Sequence, residues 1–249
     1  MKIIASDYDG TLNYNGIDEK KKKALKKWHD AGNVFALISG RAPKDILQIY
    51  NEKQFICDYL IADSGAVIMK NDGTIISDIR CDSSLIVPLL KLLFEKGCSC
   101  GDILSNNIYR VYADPNCCKG VDEYTLENMP EIPYFNQIST ALPNVEIAAD
   151  VVSCIREQFK DKLNPLQNGC CIDIVRTDMN KAKGLYILME YLGAKHDDII
   201  AVGDNINDSD MIREFKTYSL LPHNTFGIKA TAGKFVEFSS VESLVSYLS

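Results

Sequence analysis

Short apolar runs alternate with longer amphipathic stretches over the first and last thirds of the chain, and this alternation predicts strands and helices in turn. Residues 2–7 read as a buried strand, and residues 18–31 as a helix with Asp18 as its N-cap and Gly32 as its stop. Residues 34–38 read as a second strand, 43–50 as a helix opened by Pro43, and 59–62 as a third strand. Toward the C-terminus the pattern predicts a helix over 183–192, a strand over 199–202, a helix over 208–214 and a short strand over 217–221. Such a succession implies an α/β fold built on a mainly parallel sheet.

The middle of the chain has a different rhythm. From about residue 79 to 176 a helix is followed by paired short strands, then by another helix and more strands. Asn106-Asn107 lies between two strand-like runs, and Gln167-Asn168-Gly169 between two more, so both read as hairpin turns. This is the pattern of an α+β insertion with its own antiparallel sheet. The expected organisation is a core of residues 1–78 and 177–249 interrupted by an inserted domain of residues 79–176.

Composition narrows the class without changing this picture. Of 249 residues, 46% are apolar and 24% charged, enough for a sizeable core. The net charge of −7 argues against a nucleic-acid-binding surface. No apolar run approaches the roughly 18 residues of a membrane span, and the first residues are too short an apolar stretch for a secretory signal. A cytoplasmic location follows as an expectation. Nine cysteines, an odd number at scattered positions, favour reduced thiols over a disulfide framework. Cys98, Cys100, Cys117, Cys118, Cys170 and Cys171 raise the question of zinc, but their Cys-x-Cys and adjacent spacings are not those of structural zinc sites. The basic run Lys20–Lys23 with Lys26 and Lys27 surrounds an apolar face of Ala24, Leu25 and Trp28, and is expected to solvate the outside of a helix.

Four segments carry candidate chemistry. Directly after the first strand comes Asp7-Tyr8-Asp9-Gly10-Thr11. Alternation along an extended chain would put Asp7 and Asp9 on one side, and neighbouring carboxylates repel unless a cation or proton lies between them. Oxygen ligands of this kind suit Mg²⁺. Gly10 permits a sharp turn and Thr11 brings a hydroxyl; Leu12 and Tyr14 stand where a calcium loop would need further ligands. At the end of the second strand, Ser39-Gly40-Arg41 offers a hydroxyl and backbone amides as a phosphate cradle. After residues 199–202, Gly203-Asp204-Asn205-Ile206-Asn207-Asp208 puts a second acidic cluster at the end of a strand, where open α/β sheets bind ligands. Asp204 is a candidate to complete a metal site and Asp208 to support it. Finally, Lys181 or Lys183 offers an ammonium to a nucleophilic carboxylate and a phosphate; spacing alone does not choose between them. The absence of a GxxxxGK[ST] sequence disfavours a kinase or ATPase.

In order, these four elements resemble the motifs of the haloacid dehalogenase superfamily, and the large insertion resembles that of its Cof-type branch with a type IIB cap. The resemblance spans essentially the whole chain. It implies a Rossmann-like parallel-sheet core with an α+β cap domain, and a Mg²⁺-dependent phosphatase acting on a small-molecule phosphate ester, a sugar phosphate first among the candidates. It further implies Asp7 as nucleophile forming an aspartyl-phosphate, Asp9 as general acid and base, and Lys181 rather than Lys183 as the ammonium. The implied phosphate contacts are Thr11, Ser39, Gly40, Lys181 and Asn207. The implied metal ligands are Asp7, the Asp9 backbone carbonyl and Asp204, with Asp208 supporting the metal's waters. One departure is Ser64-Gly65-Ala66, where Cof-type proteins commonly have Asn-Gly-Ala. Tyr109, Arg110, Asn136 and Gln137 in the insertion are candidates to contact a sugar or are strand surface. A phosphomutase of the same superfamily, or a non-catalytic protein that binds phosphorylated metabolites, are the alternatives.

Overall fold

The computed structural model describes residues 1–220, 236–238 and 240–248. The chain forms two compact units, Met1–Ser77 with Lys181–Ser249, and Asp78–Asn180. The second crossing falls four residues later than the composition suggested because residues 177–180 remain tied to the inserted unit. Thr177 N donates to Lys162 O at 3.0 Å, Met179 N to Arg176 O at 2.9 Å, and Asn164 Nδ2 to Met179 O at 2.8 Å.

The chain begins with β1 (Ile3–Asp7), α1 (Glu19–Asp30), β2 (Val34–Ile38), α2 (Pro43–Lys53), β3 (Tyr59–Ala62), β4 (Val67–Lys70) and β5 (Ile75–Asp78). The inserted unit adds β6 (Cys81–Asp82), α3 (Ile86–Glu95), β7 (Cys100–Leu104), β8 (Ile108–Tyr112), β9 (Glu123–Thr125), β10 (Tyr134–Phe135), β11 (Gln137–Ala141), α4 (Val145–Gln158), β12 (Leu163–Asn168) and β13 (Cys171–Arg176). The chain then continues with α5 (Lys181–Leu192), β14 (Ile199–Val202), α6 (Ser209–Glu214), β15 (Lys216–Leu220), β16 (Val236–Phe238) and α7 (Val241–Leu248). Of the strand expected over 217–221, Leu221 lies outside the described residues.

In the first unit the sheet runs β16-β15-β14-β1-β2-β3-β4-β5, with parallel pairing from β16 through β3 and β4 antiparallel to β3. β1 is buried along its whole length, as expected of a parallel strand covered on both faces. On one face Leu25 and Trp28 of α1, Ile46 of α2 and Leu244 of α7 pack on Ile4, Phe35, Leu37 and Leu60. On the other, Ala182, Leu185 and Leu188 of α5 and Met211 of α6 pack on Ile3, Ala5, Ile38 and Ile199. Asp18 caps α1 as the sequence suggested, accepting from Lys21 N at 2.9 Å. Among the lysines of α1, Lys21 departs from the expected solvated face: its ammonium donates to the carbonyls of Leu12, Tyr14 and Gly16.

The inserted unit has a six-stranded sheet, β12-β13-β11-β7-β8-β9, antiparallel except where β9 joins β8. Ile103, Val111, Ile138, Ile172 and Ile174 pack with α3 and α4 residues such as Leu89, Leu90, Ala148 and Val151. The turn between β7 and β8 spans 105–107, with Ser105 N donating to Asn107 O at 2.9 Å. The next hairpin turns two residues later than expected: Asn168 pairs with Cys171, so Gly169-Cys170 make the loop and Gln167-Asn168 belong to the strand. Gly169, at φ +60°, is the residue of this segment that best tolerates the left-handed turn conformation.

α5 begins close against the turn over 63–65, and Gly184 permits that approach. A Cβ there would lie 2.8 Å from Gly65 Cα and 2.9 Å from Gly65 O. Gly184→Ala is therefore expected to destabilise the protein by about 1–3 kcal/mol despite the gain in helix propensity, because two backbones must part. Urea unfolding of the two proteins checks this; equal midpoints would mean that the helix shifts at no cost.

Candidate active site

β1 ends at Asp7, and the chain then makes a wide turn over Tyr8–Leu12. Gly10 sits at φ +84°, and a Cβ on it would come 2.6 Å from Asp204 Oδ2. Conformation and space thus both demand glycine. Thr11 Oγ1 donates a short hydrogen bond to Asp204 Oδ1, joining the turn after β1 to the loop after β14. In that loop Asp208 Oδ2 accepts from the backbone N–H of Asp204 at 3.1 Å and of Asn205 at 3.2 Å.

Lys181, the first residue of α5, enters between these loops. It is 1% exposed, and its Nζ donates to Asp7 Oδ1 at 2.6 Å and to Asp208 Oδ1 at 2.5 Å. Lys183, the alternative left open by spacing, is exposed, with its Nζ 5.5 Å from the centre of the Tyr186 ring. Carboxylate oxygens of Asp7, Asp204 and Asp208 all lie within 4.8 Å of one another, and all three residues are buried. Among the described residues, the groups of three or more possible metal-ligating side chains include no cysteine, and all nine cysteines are free thiols.

Charge in this cluster does not balance. Three buried carboxylates face one buried ammonium, leaving two negative charges in excess. Burial pushes the Asp7 carboxyl up from its ordinary 3.8 to about 8, with Lys181 opposing the rise and Asp208 adding to it. Burial likewise raises Asp204 to about 6, against the hydrogen bond from Thr11. Burial alone would lower Lys181, but Asp208 and Asp7 together hold its ammonium well above the usual lysine range. Lys181 therefore stays charged, and the shortage of positive charge falls on the carboxylates. A hard divalent cation with oxygen ligands fits this donor set. Asn207, the residue before Asp208, has its side-chain oxygen buried without a hydrogen-bond partner among the described residues.

Asp9 lies outside that cluster. The strand ends at Asp7, so the alternation that would align Asp7 with Asp9 does not extend to Asp9. Both Asp9 carboxylate oxygens accept from Arg41, from Nε at 2.7 Å and Nη2 at 2.8 Å, and the Asp9 side chain is 51% exposed. Arg41 also stands over the Tyr8 ring, 5.7 Å from its centre. Sequence reading missed this pair because its members are far apart in the chain; its one local sign is Arg41 itself, which follows the Ser39-Gly40 turn.

Ser39 is 2% exposed at the end of β2, and its Oγ accepts from Arg41 N at 3.2 Å. The segment around Gly40 is tied to the turn after β3: Ser64 N donates to Ser39 O and Asp63 N to Arg41 O, each at 3.0 Å. Ser64 has φ +51°. Asn tolerates that left-handed conformation better than Ser does, which gives a backbone reason for the Asn that Cof-type proteins commonly carry at this position.

The inserted unit's candidates divide. Asn136 and Gln137 are buried: Asn136 Nδ2 donates to Asp78 Oδ1 at 2.6 Å and Ile79 O at 2.9 Å, and Gln137 Nε2 to Ser139 Oγ at 2.7 Å. Arg110 is exposed and clamps Asp102 at 2.6 and 2.7 Å. Asp102, Ser139 and Asp173 are paired neighbours across the sheet, and Ser139 Oγ donates to Asp173 Oδ1 at 2.8 Å. Tyr109 donates to Asn106 at 3.2 Å and packs against the Tyr124 ring, 6.2 Å between centres.

The model of haloacid dehalogenase-like hydrolases matches residues 4–239 of this chain. The chain belongs to that family. A curated relative is 5-amino-6-(5-phospho-D-ribitylamino)uracil phosphatase YwtE of Bacillus subtilis, 24% identical over 290 aligned positions that cover 99% of this chain and 96% of the relative. Among solved structures, a haloacid dehalogenase-like hydrolase from B. subtilis superposes with a TM-score of 0.82 at 17% identity, covering 100% of this chain and 99% of that one. The subclass IIB sugar phosphatase BT4131 gives a TM-score of 0.79 at 17% identity, covering 100% and 98%. At such identities the family's α/β fold is what these structures establish for this chain.

The charge imbalance makes a pH-dependent prediction. Without a divalent cation, the folded protein keeps protons on Asp7 and Asp204 that the unfolded chain, with carboxyls near 3.8, has released. Unfolding thus becomes easier as pH rises from about 4 to 8. In EDTA, Asp7→Asn should match the native protein near pH 5 and exceed it near pH 8 by on the order of a few kcal/mol; saturating Mg²⁺ should erase the native protein's deficit. Thermal melts across that range decide it, and parallel curves for the two proteins would refute the imbalance.

Proposed function

We propose that this protein is a Mg²⁺-dependent phosphatase of small phosphorylated metabolites, with sugar phosphates as the first class to test. The observation that carries this reading is the buried trio of carboxylates held against a single lysine at the ends of β1 and β14. Asp7, Asp204 and the Asp9 backbone carbonyl would hold the cation, with Asp208 supporting its waters. When bound, Mg²⁺ supplies positive charge to the phosphoryl oxygens and to Asp7.

Asp7 Oδ attacks phosphorus, and the ester P–O bond breaks as the leaving oxygen takes a proton from Asp9. Water then attacks the aspartyl-phosphate while Asp9 takes its proton back; the P–Oδ bond breaks and inorganic phosphate leaves. Lys181 offsets charge on Asp7 and on the transferring group. Thr11, Ser39, the Gly40 amide and Asn207 serve with Lys181 as phosphate contacts. Proton transfer through Asp9 requires the Arg41 fork to release at least one oxygen, since both accept from it.

The unit Asp78–Asn180 is assigned the role of a cap that selects the leaving group and excludes water. Its polar row of Arg110, Asp102, Ser139 and Asp173 supports a hydroxyl-rich leaving group. A cytoplasmic setting is proposed on the nine free thiols.

Hydrolysis of p-nitrophenyl phosphate tests the chemistry. The native protein should release phosphate with Mg²⁺ and not with EDTA. Asp7→Asn should lose at least about a thousandfold in kcat, and Asp9→Asn about 10²–10⁴-fold. A panel of phosphorylated metabolites follows: release of free phosphate supports a phosphatase, whereas an isomerised ester in its place would make the protein a mutase. Activity that survives Asp7→Asn would overturn the assignment.

A further inference from the structure

Lys21 stands in a run of lysines on α1, yet its ammonium is enclosed by three backbone carbonyls: Leu12 O at 3.0 Å, Tyr14 O at 2.6 Å and Gly16 O at 2.6 Å. The first of these matters most. Leu12 C=O and Asn13 N–H belong to one rigid peptide plane, and Asn13 N donates at 2.9 Å to Tyr8 O, the carbonyl of the peptide that joins Tyr8 to Asp9. The ammonium, the Leu12–Asn13 peptide and the Tyr8–Asp9 peptide thus form a relay that closes the turn carrying Asp9.

The remaining amides of the segment complete the arrangement. Tyr14 N donates to Thr11 O at 3.4 Å and Gly16 N to Asn13 O at 3.1 Å. The N–H groups therefore point back along the loop while the carbonyls converge on Lys21. Three carbonyl dipoles directed at one point, those of Leu12 and Gly16 partly buried, repel each other unless a cation stands there. A charged donor also polarises the peptide it binds, strengthening the next hydrogen bond in the chain. Burial lowers the Lys21 ammonium below the usual lysine range, with Asp18 and Glu242 opposing the fall, as expected for a group drawn out of water to make these bonds.

We infer that Lys21 is a positioning residue for the catalytic turn, a built-in cation that fixes the peptide on which Asp9 is mounted. The inference rests on the role proposed for Asp9, and it makes the three carbonyls a latent site for a monovalent cation once the lysine stem is removed.

The test compares Lys21→Met, which keeps the stem without the charge, with Lys21→Arg and Lys21→Ala. Lys21→Met should lower kcat for p-nitrophenyl phosphate roughly 10–100-fold with KM little changed, as a displaced catalytic group does. Lys21→Arg should recover most of that loss. Lys21→Ala should recover part of it in ammonium or potassium chloride but not in lithium chloride. Hydrogen exchange read at Asn13 without substrate should quicken at least about tenfold in Lys21→Met. This readout is independent of catalysis: a native protein that hydrolyses no ester would sink the phosphatase reading, while Asn13 exchange would still decide the clamp. Native kcat together with native exchange in Lys21→Met would overturn the inference. If that variant does not fold, equal activity of Lys21→Ala in potassium and lithium would overturn it as well.

Discussion

Lys181 reaches the end of the parallel sheet from the first turn of α5 and donates to Asp7 after β1 and to Asp208 after β14. Everything else at this end of the core is arranged around that buried cation. Moving an ammonium out of water costs several kcal/mol unless good partners replace the lost hydration, and two carboxylates at hydrogen-bond distance replace it. The reverse also holds: without Lys181 the strand ends would hold only acids, close together and buried. Removing one partner from such a pair commonly costs about 3–5 kcal/mol. The sheet is thus pinned at its working edge by charge and elsewhere by apolar packing on both faces.

That arrangement depends on close backbone approach. Gly10 lets the turn after β1 pass against Asp204 with no side chain between them, and Gly184 lets α5 begin hard against the turn after β3. The second contact sets where Lys181 enters, because helix and lysine move as one rigid body. The turn after β3 in turn binds the Ser39–Arg41 segment through the amides of Asp63 and Ser64. Four loops, those after β1, β2, β3 and β14, are thereby tied together, which is how an open α/β sheet turns strand ends into a site.

The sequence revealed those features in which neighbours along the chain are also neighbours in space. The acidic motifs at Asp7 and Asp204, the strands, and Asp18 as N-cap are local signals of this kind. The two lysines near residue 180 differ by two positions on a helix, which is a large rotation, and only packing of α5 decides that Lys181 faces inward while Lys183 faces out. The ion pair of Asp9 with Arg41 joins two strand ends and has no periodic signature. Lys21 was hidden for the opposite reason: a basic run beside Leu25 and Trp28 looks like an ordinary solvated face, and the carbonyls that distinguish it come from a loop with no pattern of its own. The second hairpin of the inserted unit was misplaced by two residues because Gly169 marks the turn's first position and Asn168 still pairs.

The two carboxylates of the first motif end up in opposite environments, and this suits opposite tasks. Asp7 is enclosed, charge-buffered by Lys181 and short of water, so its oxygen is held in one direction. Such confinement suits a nucleophile, whose attack depends on fixed geometry more than on exchange with solvent. Asp9 is half-exposed and bound by a guanidinium that is itself 43% exposed, so its hydrogen bonds can be traded for those of water or of a leaving group at little cost. Such freedom suits a proton carrier, which must give up a proton and later recover one. In the proposed mechanism Asp9 must not swing away, however, and side-chain freedom is useful only on a fixed mount. The peptide between Tyr8 and Asp9 is that mount, tied through Asn13 and Leu12 to the ammonium of Lys21.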